Sequence, residues 1–145
     1  MIRVSFCPED YAVRITGHAG SGPKGRDLLC AAVSALALTL ERNVAQMDRL
    51  GWLTEQQVSL EPGNALIRCR PRKDCAGAVK LIFSGIWAGF TLLAEKWPEF
   101  LWAEMRDFPP AQGGSPGWEN PSGTGMLYLS GPAAREIAAD FTGGT

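Results

Sequence analysis

The chain has 145 residues, 46% of them apolar and 20% charged, enough for one ordinary domain with its own core and too few for two. A formal net charge of −1 gives no bulk attraction to nucleic acid or to an anionic membrane, so neither is expected as a partner. Four cysteines without a C-x-x-C pair and a single histidine do not make up a usual zinc quartet, and no metal or cofactor is expected.

The chain starts directly in an alternating pattern, Met1-Ile2-Arg3-Val4, with no basic leader or apolar signal core. A cytoplasmic protein is expected, in a compartment where disulfides are rare. Ile2, Val4 and Phe6 alternate with Arg3 and Ser5, and Tyr11, Val13 and Ile15 repeat the period around the turn residues Cys7-Pro8-Glu9-Asp10. This predicts a β-hairpin. The following stretch, Gly17 to Gly25, is too rich in glycine for a helix or strand and reads as a loop.

Helical spacing begins after Asp27, a good N-cap, with Leu29, Val33, Leu36, Leu40 and Val44 on one face and Gly51 as the stop. A second strand pair is predicted over 57–61 and 65–70, joined by Pro62-Gly63-Asn64. The basic run Arg68, Arg70, Arg72 and Lys73 reads most simply as a solvated strand end. Asp74 is expected to cap a second helix from Cys75 to about Lys96, ended by Pro98, with Leu81, Ile82, Ile86, Leu93 and Trp97 on its apolar face. Its weakly charged stretch, Leu81 to Ala94, is shorter than a bilayer span. A last strand fits 100–107.

The order β-β-α-β-β-α-β predicts an α+β domain over residues 1–108, a mixed sheet with two helices packed on one face. The second helix is apolar on more than one side and carries Gly85 and Gly89 at small-xxx-small spacing, so a homodimer contact is expected there. Residues 109–145 are rich in glycine and proline and form a C-terminal extension.

With Asp27 as N-cap, Cys30 becomes the third helical residue, where free N–H groups and the helix dipole favour a thiolate and could hold an oxyanion. His18 is the only imidazole available as its base. Asp27 and Ser34 are possible orienting groups, although Asp27 fits equally well as a cap alone. Spacing leaves a second reading open: a cysteine on a helix is usually a small core residue, and a histidine beside glycine is usually solvated. Gly20-x-Gly22-x-x-Gly25 matches the dinucleotide fingerprint literally, but it follows a hairpin rather than the first strand of a βαβ unit, which argues against nucleotide binding.

Gly17-His18-Ala19 together with Gly25-x-Asp27-Leu28-Leu29-Cys30-Ala31-Ala32-Val33-Ser34-Ala35 resembles the bacterial ribosomal-processing cysteine proteases, a family formerly catalogued as a domain of unknown function. The resemblance implies a homodimeric endopeptidase that removes the N-terminal extension of a large-subunit ribosomal protein, the L-twenty-seven protein. It also implies His18 as base, Cys30 as nucleophile, and a substrate-ordering loop containing Gly17, Ala19, Gly20, Gly22 and Gly25. A non-catalytic, ribosome-associated or protein-binding module is the competing class.

Overall fold

The structure, a computed structural model, describes residues 1–17 and 24–106, with side chains described outside 24–27. His18, Ala19, Gly20, Gly22 and the 109–145 extension therefore lie outside the described residues. The element order is β1 (Ile2–Cys7), β2 (Ala12–Thr16), α1 (Lys24–Arg49), β3 (Leu53–Glu61), β4 (Asn64–Pro71), a short 3-10 turn (Lys73–Cys75), α2 (Ala76–Lys96) and β5 (Leu101–Met105). The expected α+β class and order are both present.

The five strands form one mixed sheet in the order β3-β4-β2-β1-β5. All neighbours are antiparallel except β1 and β5, which run parallel with Ile2 opposite Leu101 and Phe6 opposite Met105. Period-two alternation turns Ile2, Val4, Phe6, Val13, Ile15, Val58, Leu60, Ala65, Ile67 and Cys69 to one face, where they share a single core with both helices. Phe6 lies 6.2 Å from Phe83 and 5.4 Å from Trp87, ring centre to ring centre, tying β1 to α2.

Local chemistry sets the punctuation. Gly51 at φ +76 ends α1. The Gly51 N–H reaches Asp48 O and the Trp52 N–H reaches Met47 O, the paired bonds of a Schellman cap. Gly63 at φ +72, behind Pro62, turns β3 into β4. Tyr11, expected within the second strand, sits in the turn at φ +48, and its ring meets Phe83 edge-on.

Both helix starts differ from the sequence expectation. α1 begins at Lys24, so Asp27 is not its N-cap and Gly25 belongs to the helix rather than to the loop. At α2 the N-cap is Cys75 without a side-chain bond, and Asp74 pairs with Arg72 at 3.2 Å instead.

The buried stripe of α2 is Val79, Phe83, Trp87 and Phe90. Leu81, expected on the apolar face, is 74% exposed. Leu28–Arg49 and Lys73–Lys96 are each long and apolar enough, by length and composition, to cross a bilayer, in contrast to the expectation from the shorter Leu81–Ala94 run. In the fold one side of each packs on the sheet. The basic run separates into ion pairs: Arg68 with Asp10, Arg70 with Glu55 at 3.7 Å and Arg72 with Asp74. Arg68 is only 3% exposed, so this part of the run is not a solvated strand end.

Candidate active site

α1 follows β2 in the chain after residues 18–23, which include His18 and lie outside the described residues. Gly17, at the end of β2, is fixed from two directions. Its N–H donates to Gly63 O at 2.9 Å. At φ +91 a Cβ would collide with the carbonyl oxygen of Met1. Only glycine meets both demands, so the chain leaves the sheet toward His18 from a defined point.

Cys30 is the seventh residue of α1 counted from Lys24, rather than the third. It lies beyond the first turn, where the dipole effect is concentrated and N–H groups are free. Activation and oxyanion binding by the helix end, as expected from an Asp27 cap, are therefore weaker than the sequence suggested. Cys30 is 5% exposed and packs with Leu29 and Val33 in the core. Ser34, one turn further along, is 2% exposed. Its Oγ is buried and has no hydrogen-bond partner among the described residues, an arrangement that costs about 1–3 kcal/mol where no second group compensates.

The other cysteines have different surroundings. Burial pushes the Cys69 thiol up to about 12, which keeps it neutral and poorly nucleophilic at ordinary pH. Cys7 is buried in β1, Cys75 is half-buried at the start of α2, and none of the four forms a disulfide. An open cleft of about 330 Å³ lies where α2 meets β5, lined by residues including Thr91, Glu95, Pro98 and Trp102. It takes no residue from α1, so it is not the cleft of the Cys30 thiol.

A sequence model of the family described as cysteine protease Prp matches residues 1–101. The chain belongs to the Prp cysteine protease family. As a Prp-family member it is a cysteine protease. Among solved structures it is similar to SMU.848 from Streptococcus mutans, with 33% identity over 72% of this chain and 93% of that one, at a TM-score of 0.55. The fold is also that of the essential ribosomal processing protease Prp from S. aureus. One such structure carries a covalently linked product peptide (21% identity, 73% of this chain and 100% of that one, TM-score 0.55). A second carries a substrate peptide (18% identity, 72% and 97%, TM-score 0.54). No curated protein gives a significant match.

Sequence reasoning missed one feature of the sheet's second face. Arg14, Arg68 and Arg106 come together there, and burial, then Arg106, then Arg68 lowers the Arg14 pKa from its usual value. The signal was available in the alternation: Arg14 and Arg68 both fall on the positions opposite the core residues of their strands.

Proposed function

We propose that this Prp-family protease cleaves the N-terminal extension from a ribosomal protein precursor, with Cys30 as nucleophile and His18 as base. The observation that carries the reading is the position of Cys30 near the start of α1, in a chain whose residues 1–101 match a cysteine protease family. The S. aureus relatives, described as ribosomal processing proteases with bound peptides, support a peptide substrate of that class.

In this mechanism His18 accepts the Cys30 proton and the thiolate attacks the scissile carbonyl carbon. The tetrahedral intermediate collapses with loss of the amine, which takes its proton from the His18 imidazolium. Water, deprotonated by His18, then attacks the thioester, releasing the new C-terminal acid and restoring the thiol. Ser34, one turn further along α1, and Asp27 are assigned as supporting groups for the pair in this reading. Of the residues assigned to the substrate loop, Ala19, Gly20 and Gly22 belong to the segment between β2 and α1, whereas Gly17 is held at the end of β2 and Gly25 lies in α1. At 5% exposure Cys30 needs its surroundings to open before a carbonyl can reach it; this burial is also the observation that favours a non-catalytic binding role.

The protein acts as a cytoplasmic homodimer in this reading. Leu81, Gly85, Ala88 and Leu92 lie on the exposed side of α2 at helical spacing, an apolar stripe suited to a second copy. Incubating the protein with the L-twenty-seven precursor of its own host and weighing the products tests the reading. One cut that removes the N-terminal extension, lost in both Cys30→Ala and His18→Ala, is expected. Unchanged cleavage by either variant would falsify the dyad.

A further inference from the structure

We propose that the chain's own C-terminal segment, residues 107–145, docks on the sheet face opposite the helices. That face carries three rows of side chains. The register aligns Ser59, Leu66, Arg14, Ser5 and Glu104 across all five strands. Beside this row run Gln57, Arg68, Ala12 and Cys7 on one side, and Glu61, Asn64, Thr16, Arg3 and Trp102 on the other.

The helices do not account for the burial on this face. Leu66, Cys7 and Ala12 are buried yet stand outside the core shared with α1 and α2. Gln57 is 1% exposed and Leu66 is 4% exposed. A sheet packed on one side only would leave such positions wet. Both amide atoms of Gln57, Oε1 and Nε2, are buried without a hydrogen-bond partner. An acceptor and a donor side by side match the edge of a peptide unit, so the occupant is expected to present backbone to Gln57.

Charge and connectivity identify the occupant. The three rows carry Arg3, Arg14 and Arg68, with Arg106 close by, against the carboxylates of Glu61, Glu104 and Asp10, the last paired with Arg68, so cations exceed carboxylates on this face by one. Residues 107–145 contain Asp107, Glu119, Glu136 and Asp140 against the single cation Arg135, opposite in sign to the face. They also offer Trp118, the run Met126-Leu127-Tyr128-Leu129 and Phe141 to cover Leu66 and Ala12. The segment begins beside the face, because the Arg106 N–H is bonded to Phe6 O at 3.0 Å. Crossing four strand spacings takes roughly 20 Å, which about 6 extended residues span.

The test uses the full chain carrying a benzoylphenylalanine photoprobe at half-buried Ser59 and, in a second protein, at Thr16, after a thermal melt has shown each to be folded. Irradiation followed by peptide mass spectrometry is expected to join both positions to peptides from 107–145. Mixing heavy- and light-isotope protein is expected to give no mixed-mass product. Combining Asp107→Asn, Glu119→Gln, Glu136→Gln and Asp140→Asn is expected to lower the yield severalfold. Cross-links to a second copy, cross-links only to residues 1–106, no cross-link, or a yield indifferent to the neutralised carboxylates would each overturn the proposal. None of these readouts depends on peptidase activity.

Discussion

Ser34 stands one helical turn beyond Cys30 on the same buried side of α1, and its hydroxyl is left without a partner among the described residues. A buried hydroxyl in that condition opposes folding, and the proposed supporting role of Ser34 at the thiol predicts that it acts when the site is occupied. Ser34→Ala is expected to raise stability by about 1 kcal/mol, because the desolvated hydroxyl disappears. The same change should lower kcat on the precursor while leaving KM nearly unchanged, as expected for a group that orients the sulfur. Urea unfolding and steady-state cleavage on one preparation measure both effects, and a loss of stability with unchanged kcat would make Ser34 a packing residue.

Cysteine labelling separates the nucleophile from its neighbours. Cys69 is 0% exposed and burial raises its thiol to about 12, so it is expected to resist iodoacetamide in the folded protein at pH 7. Cys30 should be modified first, in step with loss of activity. Equal resistance of Cys30 and Cys69 would mean that the Cys30 thiol is an inert core group.

The same burial at Cys69 makes stability depend on alkaline pH. The unfolded thiol loses its proton near 9, whereas the folded one holds it to about 12. Over that window the unfolded chain binds fewer protons, so stability falls as pH rises, by at most about 1.4 kcal/mol per pH unit from this one group. Below 9 both states keep the proton and the contribution is fully present. Cys69→Ala should be less stable at neutral pH yet show a shallower loss between pH 9 and 11 in denaturant titrations. Parallel slopes for the two proteins would remove Cys69 as the source.

Gly17→Ala should be costly. The new Cβ meets the Met1 carbonyl oxygen at a φ of +91, and such backbone strain is worth about 1–3 kcal/mol. A fall in Tm accompanied by weaker substrate binding is expected, since Gly17 sets where the chain leaves β2 for His18. An unchanged Tm would contradict the geometry at this junction.

Gly85 and Gly89 of α2 should respond in opposite directions. A Cβ on Gly89 would lie 2.7 Å from Leu36 Cδ2 on α1, whereas nothing stands within 4 Å of Gly85. Gly85→Ala is expected to stabilise the helix by about 0.5–1 kcal/mol, and Gly89→Leu to destabilise the fold by about 1–3 kcal/mol through overpacking against α1. Gly85→Glu should leave the melt of the folded chain nearly unchanged while separating the proposed dimer in sedimentation. A dimer that survives Gly85→Glu would place the contact elsewhere.

The candidate pair was read from scarcity and short-range spacing, one imidazole and one cysteine close behind it, while the protease class was legible only through the family resemblance of Gly17-His18-Ala19 and the stretch from Gly25 to Ala35. The existence of the strands, the Gly51 stop and the core positions Leu29, Val33, Leu40 and Val44 followed from local periodicity, although β3 begins at Leu53, ahead of the expected Gln57. The start of α1 was misread because Asp27 is a strong cap by residue type, whereas the helix already begins at Lys24. That shift matters, since it moves Cys30 out of the helix's first turn.

Sequence alone therefore determined the element order, the two-helix α+β class and the thiol most worth testing, all of which depend on near neighbours in the chain. Tertiary structure decided that β5 lies parallel to β1, that α2 buries Phe83 and Trp87 rather than Leu81, and that Arg68 is enclosed beside Asp10. A helix that is apolar on several sides has no phase of its own, and the partner packed against it selects the buried stripe. An arginine on an alternating strand likewise carries no mark of which face will be covered. That depends on what the rest of the chain brings to the sheet.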